Sequence, residues 1–84
     1  GLINSVVDDD QVINETNKLA KKIANGPTKA FGGVKEMIRQ SFSNGLETQM
    51  ELESQIFSKQ LIGEDGPEGI KAFTSKRKPE FKGK

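Results

Sequence analysis

Leu19-Ala20-Lys21-Lys22-Ile23-Ala24-Asn25-Gly26-Pro27-Thr28-Lys29-Ala30 is the stretch that decides the architecture of this 84-residue chain. Upstream of it, Val12, Thr16, Leu19, Ala20 and Ile23 recur at helical spacing. Gly26 then offers a residue tolerant of left-handed backbone, and Pro27 cannot continue a helix but suits the opening of the next one. Two helices meeting at a tight corner follow, over about 9–24 and 28–43. Ala30, Val34, Ile38 and Phe42 form the apolar stripe of the second, with Phe31 and Met37 beside it. Gly32 and Gly33 interrupt that helix at about 1 kcal/mol each relative to Ala. Close backbone packing accounts for such a pair; a hinge or a ligand-facing backbone is the alternative.

Working outward, Asn44 with Glu47 three residues on resembles a capping box and predicts a third helix over about 45–62. Leu46, Met50, Phe57 and Leu61 make its stripe, Leu52 and Ile56 widen it, and Gly63 stops it. Asp65, Pro67 and Glu68 signal a fourth, short helix over about 67–76, with Ile70 and Phe73 as its apolar pair. Pro79 ends regular structure. At the other end, Leu2, Ile3, Val6 and Val7 favour an extended segment with no partner strand in the sequence, and Asp8, Asp9 and Asp10 favour the positive end of the first helix. The fold class is therefore all-α, about four helices after a short extended N-terminal segment. The chain divides into an extended connector (1–8), a helical domain (9–76) and a basic tail (77–84). Apolar residues preceding any cap at the start are what the middle of a longer chain looks like.

Composition narrows the chemistry. There is no Cys and no His, so thiolate nucleophiles, imidazole bases and the usual transition-metal ligands are excluded. No apolar run approaches the length of a membrane span. Hydrophobic residues are 32% of the chain and its aromatics are five Phe, which predicts a thin core. The acidic residues, Glu47, Glu51 and Glu53 among them, fall on polar helix faces, where solvation is the ordinary role. No Gly-rich loop followed by Lys-Ser/Thr is present to cradle a phosphate.

Charge is uneven along the chain. Residues 1–70 hold seven Lys/Arg against eleven Asp/Glu, and residues 71–84 hold six against one, giving the overall +1. In the basic stretch Lys71, Lys76, Arg77, Lys78, Lys82 and Lys84 surround Phe73 and Phe81. Three readings fit this mixture: a solvated tail paired with the acidic third helix; a nucleotide-like ligand, its base on Phe73 and its phosphates on Lys76; or nucleic acid. The near-zero net charge disfavours a dedicated nucleic-acid binder.

A longer pattern runs through the chain. Gly1-Leu2-Ile3-Asn4-x-Val6-Val7, then Leu19-Ala20, Ile23-Ala24-x-Gly26-Pro27-x-x-Ala30, Lys35 and Leu46…Leu52-Glu53, resembles the crotonase superfamily of enoyl-CoA hydratases and isomerases. The most specific part is Glu64-Asp65-x-x-Glu68-Gly69-Ile70-x-Ala72-Phe73-x-x-Lys76-Arg77-Lys78-Pro79-x-Phe81-x-Gly83-Lys84. Gly32-Gly33, Gly66-Pro67 and Thr74 depart from the pattern, which predicts looser second and fourth helices.

The resemblance implies a C-terminal helical region that builds trimers or hexamers and packs on an N-terminal catalytic core. It places the catalytic glutamates and the oxyanion hole in that core, so no catalytic residue is expected within these 84. It implies an acyl-CoA thioester as substrate, with no metal, no prosthetic group and no nucleic-acid partner, in cytoplasm or an organelle matrix. Phe73 and Lys76 would cover the adenine and a phosphate of CoA, with Arg77 and Lys78 in lesser roles. The rival readings are a free-standing helical interaction module and a small nucleotide or nucleic-acid binder.

Overall fold

A computed structural model describes residues 1–84: an extended lead-in, a 3-10 turn (Asp9–Gln11), and four α-helices, α1 (Val12–Ala24), α2 (Thr28–Ser41), α3 (Leu46–Ile62) and α4 (Asp65–Thr74). There is no strand. Residues 78–84 run without regular structure. The four expected helices are present, and their ends shift for local reasons. α2 stops two residues early, where the Ser41 and Ser43 hydroxyls donate to the carbonyls of Ile38 and Gln40, an alternative to continuing the helix. Gly45, not Asn44, is the residue before α3. The Asn44 amide donates instead to Gln49 Oε1, and Gln49 donates to the Met37 carbonyl, tying α2 to α3.

The main packing runs α2 on α3 and α3 on α4; α1 meets chiefly the turn before it. Glycine sets the closeness of both contacts. A Cβ on Gly33 would lie 2.7 Å from Ile56 Cγ2, whereas one on Gly32 would meet nothing within 4 Å. Close packing therefore explains Gly33 and not Gly32. A Cβ on Gly66 would collide with the Gln60 carbonyl and lie 3.1 Å from Leu61 Cα. Gly66 thus tightens the α3–α4 corner rather than loosening it.

The apolar pair of α4 faces outward. Ile70 is 57% exposed and Phe73 85% exposed, while Ala72, at 1%, is the chain's one buried hydrophobic residue. The inner face of α4 carries Asp65, Gly69 and Ala72, one helical stripe of small or short side chains. A small face lets α4 and the returning tail approach closely.

Little else is covered. The chain exposes 7287 Å², against about 4,900 Å² for a folded monomer of this mass. Its radius of gyration is 16.2 Å, where a compact domain of this length has about 12 Å. The molecule is a slab of 46 × 38 × 19 Å. The helices hold a defined arrangement while most of their apolar stripes face outward.

Candidate functional site

The site is built at the C-terminal end of α4. The helix closes with two bonds: Arg77 N–H donates to the Ala72 carbonyl at 3.0 Å, and Lys76 N–H to the Phe73 carbonyl at 3.2 Å. This closure needs a left-handed residue between helix and tail, a place where Gly is usual. Here it is Lys76, with φ +50. Non-Gly residues reach that region at a cost of roughly 1–2 kcal/mol. Phe73 sits on the last turn of α4, and Lys76 stands at the apex just beyond; both are exposed. The backbone thus brings the two expected nucleotide-binding residues to one solvent-facing end. Lys76 makes no ion pair; the chain's three involve Lys18, Arg77 and Lys82.

Arg77 is engaged elsewhere. Its guanidinium forks onto Glu68, Nη1 to Oε1 at 2.6 Å and Nη2 to Oε2 at 2.7 Å. Glu68 also accepts the Glu80 N–H at 2.8 Å. Hydrogen bonds from Arg77 and from that backbone N–H hold the Glu68 carboxyl down at about 2 and outweigh the desolvation that opposes them, with the charges of Arg77 and Lys71 adding lesser amounts. The same hydrogen bond raises the Arg77 pKa further.

The tail then folds back along α4. Asp65, one of two buried residues at 8% exposure, accepts the Lys82 N–H at 2.7 Å and the Gly83 N–H at 2.8 Å. In return the Lys84 carbonyl accepts the N–H groups of Glu64 and Asp65 at 2.9 and 3.0 Å. Gly83 has φ +72, and a Cβ there would collide with Thr28 Oγ1, so the tail also abuts the start of α2. Phe81 is half-buried. It packs near Gly69 and lines a cavity of about 440 Å³ with Pro27, Ala30, Ile56 and Ile70.

The two aromatic residues of the basic stretch therefore separate. Phe73 is offered to solvent, and Phe81 is a packing residue. The tail pairs with acids of α4 and of the α3–α4 corner, not with the acidic face of α3. Glu51 and Glu53 on that face take hydrogen bonds from Gln55 and Gln49. Asp65 reads in sequence as a helix-start residue; its grip on the tail has no local signal.

A second feature is an open groove of about 750 Å³ between α2 and α3, lined by Val34, Met37, Ile38, Met50 and Phe57 among others. It is shallow and mainly apolar in its side chains. No helix is long and apolar enough to cross a membrane.

Comparison with known proteins extends these observations. A family model described as enoyl-CoA hydratase/isomerase matches residues 1–84. The chain is 38% identical over 86 residues to the 1,2-epoxyphenylacetyl-CoA isomerase of Escherichia coli (strain K12), covering 100% of this chain and 32% of that protein. It is 36% identical over 84 residues to the 2,3-dehydroadipyl-CoA hydratase of the same organism, covering 100% and 33%. Its fold superposes on a crystal structure of an enoyl-CoA hydratase subunit from Geobacillus kaustophilus HTA426 with a TM-score of 0.91 and 36% identity, covering 100% of this chain and 33% of that one. The chain thus spans about a third of the length of the curated relatives it matches.

Proposed function

The chain belongs to the enoyl-CoA hydratase/isomerase family, and from that premise we propose that residues 9–76 form the helical C-terminal domain of an acyl-CoA-processing enzyme. The reaction proposed for the whole protein is hydration or isomerisation of an enoyl-CoA thioester. The matches include a relative named as a CoA-ester hydratase and one named as an isomerase of an epoxyacyl-CoA. The chemistry would reside in an N-terminal core joined through residues 1–8, and this domain would contribute assembly and part of the nucleotide pocket. Cytoplasm or an organelle matrix is the compartment proposed.

Two observations support these roles. The surface in excess of a compact monomer is about 2,400 Å² by the scaling relation, and a standard interface takes only about 800 Å² from each partner. That excess suits a layer held between the catalytic core and neighbouring subunits in a trimer or hexamer. The observation that carries the ligand role is the pairing of exposed Phe73 with unpaired Lys76 at one helix end. An aromatic face suits stacking on adenine, and an ammonium one turn away suits a phosphate. Tail residues 77–84 serve in this reading as the brace of that end.

The test is Lys76→Ala in the complete enzyme. CoA-ester binding should weaken, with a smaller effect on a pantetheine ester that lacks the nucleotide. Equal losses for the two ester types would remove the role assigned to Lys76.

A further inference from the structure

Lys76 occupies a backbone conformation that its own side chain disfavours. Such a residue persists only where its surroundings over-determine it. The closing bonds at Ala72 and Phe73 act on one side of it. On the other side the next residue, Arg77, is forked onto Glu68 two turns back along α4, through both carboxylate oxygens. Glu68 also takes the Glu80 N–H, so the chain leaving Lys76 is tied to α4 at Arg77 and again at Glu80, and Arg77 donates to the Lys78 carbonyl between them. Arg77 has its guanidinium turned to the helix, which leaves Lys76, at the apex, and Lys78 after it as the turn's exposed cations without an ion pair.

We infer that Glu68 and Arg77 are positioning residues for CoA: their bidentate pair holds the left-handed turn that presents the Lys76 ammonium to a phosphate of the nucleotide. This rests on the phosphate-binding reading of Lys76. It assigns Glu68 a sign that simple electrostatics would not. As a carboxylate near a phosphate site, Glu68 should oppose an anionic ligand, and its removal should tighten binding while freeing a guanidinium. As part of the brace, its removal should loosen binding, because Lys76 then samples other backbone states.

The experiment measures dissociation constants of butyryl-CoA and butyryl-pantetheine by calorimetry, on the complete enzyme and its Lys76→Ala, Glu68→Gln and Arg77→Met variants. Lys76→Ala is expected to weaken butyryl-CoA by about tenfold, leaving butyryl-pantetheine nearly unchanged. Glu68→Gln and Arg77→Met should each weaken butyryl-CoA by about fivefold, again sparing butyryl-pantetheine, although the two substitutions change net charge in opposite directions. Tighter butyryl-CoA binding by Glu68→Gln would overturn the positioning role, since charge alone would then govern. Equal weakening of both esters by Glu68→Gln and Arg77→Met, with Lys76→Ala still selective, would also overturn it while leaving Lys76 in place. A non-selective Lys76→Ala would remove the reading beneath it.

Discussion

Asp65 and Gly83, eighteen positions apart, are joined by a 2.8 Å hydrogen bond from the Gly83 N–H to a carboxylate oxygen of Asp65. The other oxygen holds the Lys82 N–H. A residue at a helix start would ordinarily serve that helix. Asp65 instead fastens a distant segment to it, and the segment returns a carbonyl, that of Lys84, to the N–H groups of Glu64 and Asp65. Helix start and tail cap one another.

Replacing Asp65 by Ala in the complete protein should therefore release the tail. Two backbone N–H groups lose a charged acceptor, at a cost of about 2–4 kcal/mol in total. The amides of Lys82 and Gly83 should lose their protection in hydrogen exchange, while those within α2 keep theirs. Retained protection at both amides would refute the clamp.

The Glu68–Arg77 pair carries a pH signature. The Glu68 pKa in the fold is about 2, below its ordinary 4.5. A depressed carboxylate stabilises the fold fully above the higher value and loses that contribution as pH falls toward the lower one. The stability gap between the protein and its Glu68→Gln variant should stay level above pH 4.5 and close as pH falls toward 2. Carbon-13 NMR of the Glu68 carboxyl should titrate in step. A midpoint near 4.5 would contradict the pairing.

The adjacent glycines of α2 should respond with opposite signs. Gly32→Ala points into open space and should raise stability by about 0.5–1 kcal/mol. Gly33→Ala sets its methyl against Ile56 Cγ2. Ile56 is β-branched and stiff, so the clash should exceed the gain in helix propensity and lower stability by about 1 kcal/mol net. Thermal midpoints of the two variants decide it; equal shifts would contradict the α2–α3 contact.

At Lys76, stability and affinity should part. Lys76→Gly suits φ +50 and should stabilise the fold by about 0.5–1 kcal/mol. It also removes the ammonium, so CoA-ester affinity should fall as it does for Lys76→Ala. A variant that gains stability and keeps its affinity would detach the strained turn from ligand binding.

What the sequence made legible was local. Asn25-Gly26-Pro27 marks the α1–α2 corner and Gly63 the end of α3, although Gly26 does not take the left-handed backbone expected of it; its missing side chain makes room for the Phe31 ring instead. What it hid was long-range. Phe73 and Phe81 sit in similar basic surroundings, and only the tail's return separates an exposed ring from a packed one. Asp65 looks like any acidic residue at a helix start, since its partners lie 17 and 18 residues away. The left-handed turn falls on a Lys, which gives none of the warning a Gly would. The inner face of α4 gave no signal, because a stripe of Asp65, Gly69 and Ala72 carries too little hydrophobicity to stand out. Phe73 and Lys76 stood out already as a Phe among basic residues, one of three readings of that stretch, and the family pattern favoured the nucleotide reading.

The slab, 19 Å at its thinnest, is too thin to have an interior of its own. In the proposed assembly a residue on an apolar stripe answers to a neighbouring surface rather than to a core. Substitutions there would be tolerated in matched sets, one change on the slab with another on the body facing it. Drift in these 84 residues would therefore be paced by their contacts, while the helix corners and the Asp65 clasp, satisfied within the layer, could be exchanged between relatives as a unit.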